Sequence, residues 1–179
     1  MIEIETKIVD FDEMKTRASL DRMCAGHKPK TLLRRWVFDL EKEPGEDRFI
    51  RVRTDGAKST ITYKLRKGSG LSNTEEIEVS ASDFDAAAEI FGKMLTGNRY
   101  YQENYVETWV YDGVEVTLHN WPMIPSVIEV EGRSENDVRS TIKELGISGK
   151  ELGNISWVKV YDMHGIDLHA YPVLKFEGK

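Results

Sequence analysis

Five short segments of this 179-residue chain carry charged residues two positions apart. Glu3 and Glu5 lead to Lys7. Arg51 pairs with Arg53, Lys64 with Arg66, Glu76 with Glu78, and Glu129 with Glu131. The residues between them, Ile4, Val52, Leu65, Ile77 and Val130, are apolar. On a strand, period two puts the charges on one face and the apolar residues on the other. Like charges at that spacing sit roughly 7 Å apart and repel by about 2 kcal/mol at an effective dielectric of about 20. For any single pair, the solvated face of an antiparallel sheet is the ordinary setting. Five pairs segregated by sign point further. They make sense where cations sit among the carboxylates and an anion sits among the Lys and Arg side chains. Hard oxygen ligands hold Mg²⁺ or Mn²⁺, and such ions bridge phosphate oxygens. Lys and Arg neutralise the remaining phosphate charge, Arg through bidentate contacts. The chemistry this predicts is stabilisation of the charge that moves when a phosphoanhydride bond breaks.

The elements that must position these residues are mostly strands. Alternation predicts strands over Met1–Val9, Thr31–Leu40, Arg48–Thr54, Ser59–Lys67, Glu75–Ser80, Arg99–Tyr111, Val114–His119 and Ser126–Glu131. Asp55-Gly56 and Asp112-Gly113 are hairpin turn signals. Helix signals fall between the strands. Asp10 with Glu13 reads as a capping box, followed by a stripe of Phe11, Met14 and Ala18. Ser82 or Asp83 caps a second helix carrying Phe84, Ala87, Ala88, Phe91 and Leu95, which Gly97 ends. Ser134 and Asp137 open a third with Val138, Ile142 and Leu145. Trp157, Val160, Tyr161 and His164, with Gly165 after them, predict a short last helix. Apolar helix stripes need the apolar sheet face to cover, so the charged face points into solvent or into a lumen. Eight strands can close into a small barrel. The expected fold is therefore α+β, a closed eight-stranded antiparallel β-barrel with peripheral helices.

Composition bounds the alternatives. Hydrophobic residues at 40% and charged residues at 31% fit a globular chain rather than a disordered one. With no repeat or Pro/Gly-rich linker, residues 1–179 read as one domain. A formal charge of −6 argues against general nucleic-acid binding, which needs a basic field. No apolar run approaches the ~18 residues that span a membrane, and the acidic N-terminus is unlike a signal peptide. Cys24 is the sole cysteine, so no internal disulfide can form, and a cytoplasmic location is expected.

Glu3-Ile4-Glu5-Thr6-Lys7 resembles the N-terminal ExExK signature of the CYTH superfamily, the triphosphate tunnel metalloenzymes. The resemblance continues in order along the chain. Phe49-Ile50-Arg51-Val52-Arg53-Thr54 is similar to the paired-arginine strand, and Thr60-Ile61-Thr62-Tyr63-Lys64 to the lysine strand after it. Glu75-Glu76-Ile77-Glu78 resembles the mid-chain acidic strand, and Ile128-Glu129-Val130-Glu131-Gly132 the late EIE strand. Trp121-Pro122 with Pro125 is similar to the class IV adenylate cyclase-like subgroup.

The resemblance implies a triphosphate-bearing ligand such as ATP, Mg²⁺ or Mn²⁺ as cofactor, and hydrolysis or nucleotide cyclisation as the reaction. It implies metal roles for Glu3, Glu5, Glu129 and Glu131, with Glu76 and Glu78 as further candidates. It implies phosphate roles for Lys7, Arg51, Arg53 and Lys64. Arg66 shares the face, and a homodimer is compatible with the reading. Lys7, Arg53 and His119 are the candidates for direct catalytic roles.

Two departures from the family pattern stand out. Val106 occupies the place of an expected Arg, and His119-Asn120 that of an expected Asp. His119 either replaces that Asp as a ligand or base, or is a plain turn histidine. The departures keep a second class open, a barrel that binds or senses a nucleotide or polyphosphate without turnover. Gly68-Ser69-Gly70 lacks a following GK[ST] and reads as a loop. His164 and His169 are too sparse for a zinc site. Trp36, Tyr101, Trp109, Trp121 and Trp157 read as wall and helix packing, with one or two available to stack on a base.

Overall fold

The computed structural model describes residues 2–23, 26–68 and 70–177. Eight strands form the wall: β1 (Ile2–Val9), β2 (Gly26–Asp39), β3 (Glu46–Thr54), β4 (Ser59–Lys67), β5 (Thr74–Ala81), β6 (Arg99–Tyr111), β7 (Val114–Asn120) and β8 (Val127–Gly132). They run in the order β6-β2-β3-β4-β5-β1-β8-β7, and a β6–β7 pairing closes the ring. Every junction is antiparallel. Closure leaves no free edge in the ring, and alternation then divides side chains into lumen and exterior. At the β6–β7 hairpin Asp112 (φ 48°) and Gly113 (φ 80°) are both left-handed, as a two-residue turn between twisted strands demands. Two short strands, β9 (Lys150–Gly153) on β1 and β10 (Val173–Leu174) parallel to β6, were not evident from alternation because each is only a few residues long.

Helices cover most of the apolar exterior, while Ile77 and Val79 of β5 stay exposed. α3 (Glu135–Leu145) is capped by the Ser134 side chain, which accepts from Asp137 N. Its Val138, Ile142 and Leu145 pack with Ile8, Val116, Ile128 and Val130 of the wall. α2 (Phe84–Met94) is capped by Asp83 and packs Phe84, Ala87 and Ala88 against Phe38 and Val52. α4 (Trp157–Asp162) buries Val160 and Tyr161 beside Trp121 and Val127. No helix among the described residues is long and apolar enough to cross a membrane.

Three local expectations are corrected. Helix α1 (Glu13–Met23) is capped by Asp12, whose Oδ1 accepts from Lys15 N at 3.1 Å, while Asp10 takes a left-handed turn conformation. Its buried face is Thr16 and Leu20. Met14 is 82% exposed and Ala18 is also exposed. Gly97 does not cap α2, which ends at Met94 with Leu95 as its cap; a Cβ at Gly97 would run into the Asp39 carbonyl oxygen. Strand β2 begins five residues earlier than Thr31, because its pairing with β6 resumes beyond an irregularity between Lys28 and Thr31. Pro29 lacks an N–H in that stretch and masks the strand in the sequence.

Candidate functional site

Strand phase brings the five charged pairs into one lumen. Glu5 faces Glu131 and Lys7 faces Glu129 across the β1–β8 register. Lys64 faces Glu76 across β4–β5. Two connected cavities share Arg51, Arg53, Lys64, His119, Glu129 and Leu33. The wider cavity, about 460 Å³, adds Glu3, Glu76, Glu78 and Glu131. The narrower, about 120 Å³, adds Glu5, Lys7, Arg35 and Arg66, with Trp157 and His169 from the C-terminal segment.

Much of the like-charge repulsion is met by ion pairs. Lys7 is 1% exposed, with Nζ 2.7 Å from Glu5 and 2.9 Å from Glu129. Lys64 Nζ lies 2.7 Å from Glu3 and 2.6 Å from Glu76. Glu78 lies 3.6 Å from Arg51 and 3.7 Å from Arg53, and accepts from Thr62 at 2.6 Å. Arg66 binds Asp47 at 2.9 Å and Asn154 at 3.2 Å.

The six candidate glutamates thus divide. Carboxylate oxygens of Glu3, Glu5 and Glu131 lie within 4.8 Å of one another. Glu76, Glu78 and Glu129 lie outside that cluster and are paired with cations, as Glu3 and Glu5 within it are with Lys64 and Lys7. Burial, against the pull of Lys64, pushes Glu3 up to about 8. Burial, then Glu129 and Glu5, push Glu131 up to about 7. Carboxylates so crowded fit a hard divalent cation bound by oxygen. Glu129 runs the other way. Burial opposes its charge, but Lys7 and His119 together hold it well below the usual carboxylate range. The neighbouring Arg51, then burial, bring Arg53 down to about 10.

His119 is not a turn residue. It lies on β7, opposite Val106. Asn104 Nδ2 donates to His119 Nδ1 at 3.2 Å, and His119 Nε2 stands 3.6 Å from Glu129 Oε1. The Asn104 amide is oriented by Arg35, which can only donate and is bonded to Asn104 Oδ1. The neutral imidazole therefore carries its hydrogen on Nε2. Trp157 packs on His119 at 5.0 Å between ring centroids, and Lys7 Nζ lies 5.4 Å from the Trp157 ring. Trp36 and Tyr101 pack on the exterior with α2, and Trp109 is in the core. Val106 lines the wider cavity where a cation was expected. Of the Gly68-Ser69-Gly70 loop, Ser69 lies outside the described residues. Gly70 O accepts from Asn154 N.

Arg35 and Asn104 were missed in the sequence. Arg34-Arg35 in Leu32-Leu33-Arg34-Arg35-Trp36 breaks alternation, so strand phase alone does not say which arginine points inward. The only signal is register: Arg35 lies opposite Arg53 on one side and Gln102 on the other.

No family model and no curated protein matches the chain. Solved structures do. A conserved hypothetical protein from Pyrococcus furiosus superposes with a TM-score of 0.69 at 16% identity, over 88% of this chain and 98% of that one. An adenylate cyclase candidate from Vibrio parahaemolyticus gives 0.65 at 10% identity, over 90% and 98%. An adenylyl cyclase candidate from Hippeastrum, described as having a dominant triphosphatase activity, gives 0.63 at 18% identity, over 95% and 99%. The fold is the CYTH tunnel fold. In this barrel Glu3 and Glu5 of β1 and Glu129 and Glu131 of β8 meet on one wall, and Arg51 and Arg53 line the same lumen.

Proposed function

We propose that the protein is a divalent-metal-dependent enzyme acting on a triphosphate, as a triphosphatase or a class IV adenylate cyclase-like cyclase. The observation that carries this is the meeting of two opposite devices in one lumen. Three converging carboxylates, Glu3 and Glu131 in the wider cavity and Glu5 in the narrower, meet Arg51, Arg53 and Lys64, which line both. The triphosphatase described for the Hippeastrum barrel supports the same reaction class.

Glu3, Glu5 and Glu131 would hold Mg²⁺ or Mn²⁺, which when bound neutralises phosphate oxygens and helps polarise the phosphoanhydride. The chain's own cations do the rest. Arg51 and Arg53 present guanidinium forks to non-bridging oxygens, and Lys64 adds a point charge beside them. Lys7 neutralises buried Glu5 and Glu129 and so sets the carboxylate geometry. His119, held by Asn104, orients Glu129. Its Nδ1 is taken by Asn104, while Nε2 makes no hydrogen bond and stands 3.6 Å from Glu129, so it acts as a positioning residue. Val106 in the lumen favours the second reading, a barrel that binds without turnover, since one expected cation is missing.

The deciding experiment incubates the protein and Glu5→Gln with Mg²⁺ or Mn²⁺ and ATP, GTP, inorganic triphosphate or thiamine triphosphate, with products separated by chromatography. Orthophosphate release that Glu5→Gln lacks establishes the hydrolase. Cyclic nucleotide with pyrophosphate establishes the cyclase. Intact substrates with binding retained by calorimetry would leave the binder.

A further inference from the structure

Arg35 is a cation without a structural counter-charge. Its residue is 5% exposed. Nη2 donates to Asn104 Oδ1 and the guanidinium carbon lies 4.6 Å from the Trp121 ring centroid, while Nε has no hydrogen-bond partner. Among the described residues no carboxylate lies within ion-pair distance of it. Burial, then Arg51 and Arg53, bring its guanidinium well below the usual range for arginine, outweighing the opposing pull of Glu129. A buried charge with like-charged neighbours costs stability. The Asn104 contact needs a donor there, not a charge.

The lumen is also polarised along its length. The narrower cavity is lined by six Lys or Arg against four Asp or Glu, and the wider by four against seven. Arg35 lines only the narrower, cationic half. Of the converging carboxylates, Glu3 and Glu131 line only the wider half, while Glu5 lines the narrower. A chain of phosphates bound across the shared Arg51, Arg53 and Lys64 would have one end beside Glu3 and Glu131 and the other beside Arg35. Val106 removes a cation from β6, and Arg35, on the adjacent β2 and bonded to Asn104 of β6, restores one to the lumen from the next strand.

Building on the triphosphate reading above, we infer that Arg35 is a phosphate-binding residue, the anchor for the phosphate that lies farthest from Glu3 and Glu131. Its ligand class is a linear phosphate chain whose terminal group carries no ester, as in inorganic triphosphate or the γ-end of a nucleoside triphosphate.

The test is calorimetric titration with inorganic triphosphate, with and without Mg²⁺, of the unmodified protein, Arg35→Gln and Arg35→Lys. Thermal midpoints without ligand are measured in parallel. Loss of a charge-assisted contact predicts affinity about 10–100-fold weaker in Arg35→Gln, with a ligand-free midpoint that is unchanged or higher because a repelled charge is gone. Arg35→Lys keeps the charge and should fall between the two. Equal affinities in all three proteins would overturn the role of Arg35 while leaving the triphosphate reading intact. A midpoint that drops in Arg35→Gln while the folded variant keeps its affinity would make the residue structural. If the unmodified protein binds no triphosphate under either condition, the reading of the whole lumen fails and the anchor with it.

Discussion

Glu5 and Glu131 stand directly opposite each other in the β1–β8 register, two carboxylates on one stretch of lumen wall with Glu3 beside them. Glu3 is pushed up to about 8 and Glu131 up to about 7, both above the ordinary carboxyl value of 4.5. The folded protein therefore holds these protons more tightly than the unfolded chain. The stability they contribute is full below about pH 4.5 and is lost as pH rises through about 7 and about 8. Glu129 and Glu76, shifted downward, act in the opposite sense and only at more acid pH. In chelator, the thermal midpoint should fall between about pH 5.5 and pH 8.5. Mg²⁺ or Mn²⁺ at the upper end should restore it. A flat profile in chelator would contradict the crowding.

Glu5→Gln removes one of the facing charges. It also takes a counter-charge from buried Lys7, so the metal-free variant should be less stable than the unmodified protein, and stabilisation by Mg²⁺ or Mn²⁺ disappears. Differential scanning calorimetry with and without the ion checks both halves.

Lys7 lies between buried Glu5 and Glu129. Burial opposes its charge, but Glu129 and Glu5 outweigh it and move the ammonium above its ordinary value. Lys7→Met would leave two carboxylates without their cation. A loss of about 3–5 kcal/mol is expected from urea unfolding near neutral pH. Part of it should return in mild acid, where protonation removes the uncompensated charge.

His119→Ala deletes the link between Asn104 and Glu129. Loss of such an orienting partner typically costs about 10–100-fold in activity or metal affinity. Steady-state kinetics and metal titration should register it in at least one of the two. No change in either would show that the lumen does not use this histidine.

Gly97→Ala tests the closure of the wall from outside the site. Its Cβ would meet the backbone oxygen of Asp39, which cannot give way as a flexible side chain can. Asp39 N is also tied to Asn98 O at 2.9 Å. Overpacking of this kind costs about 1–3 kcal/mol, read as a lower unfolding midpoint with ligand binding retained.

Several of these relationships are local and therefore legible in the chain itself. The period-two charges of β1, β3, β4, β5 and β8 share a face because a strand has no other option. Asp83, Ser134 and Asp112-Gly113 act within a few residues of themselves, so their caps and turn could be read directly. The α1 stripe could not. Phe11, Met14 and Ala18 have helical spacing, but the side of the helix that meets the wall was settled by Leu20 reaching the core beside Trp109 and by Ser19 bonding Leu145 O.

The amino-acid sequence by itself determined that five strands carry like-charged faces and that apolar faces lie behind them, because both follow from backbone periodicity. Only the tertiary structure decided which carboxylates converge and which cation each one meets, since that depends on the register across strands distant in sequence. Glu131 reaches Glu5 while Glu129 reaches Lys7 for that reason alone. It also decided that Arg35, not Arg34, enters the lumen, and that Asn104 joins it to His119. A strand's phase is set by the partners on either side, and those partners are chosen only when the ring closes.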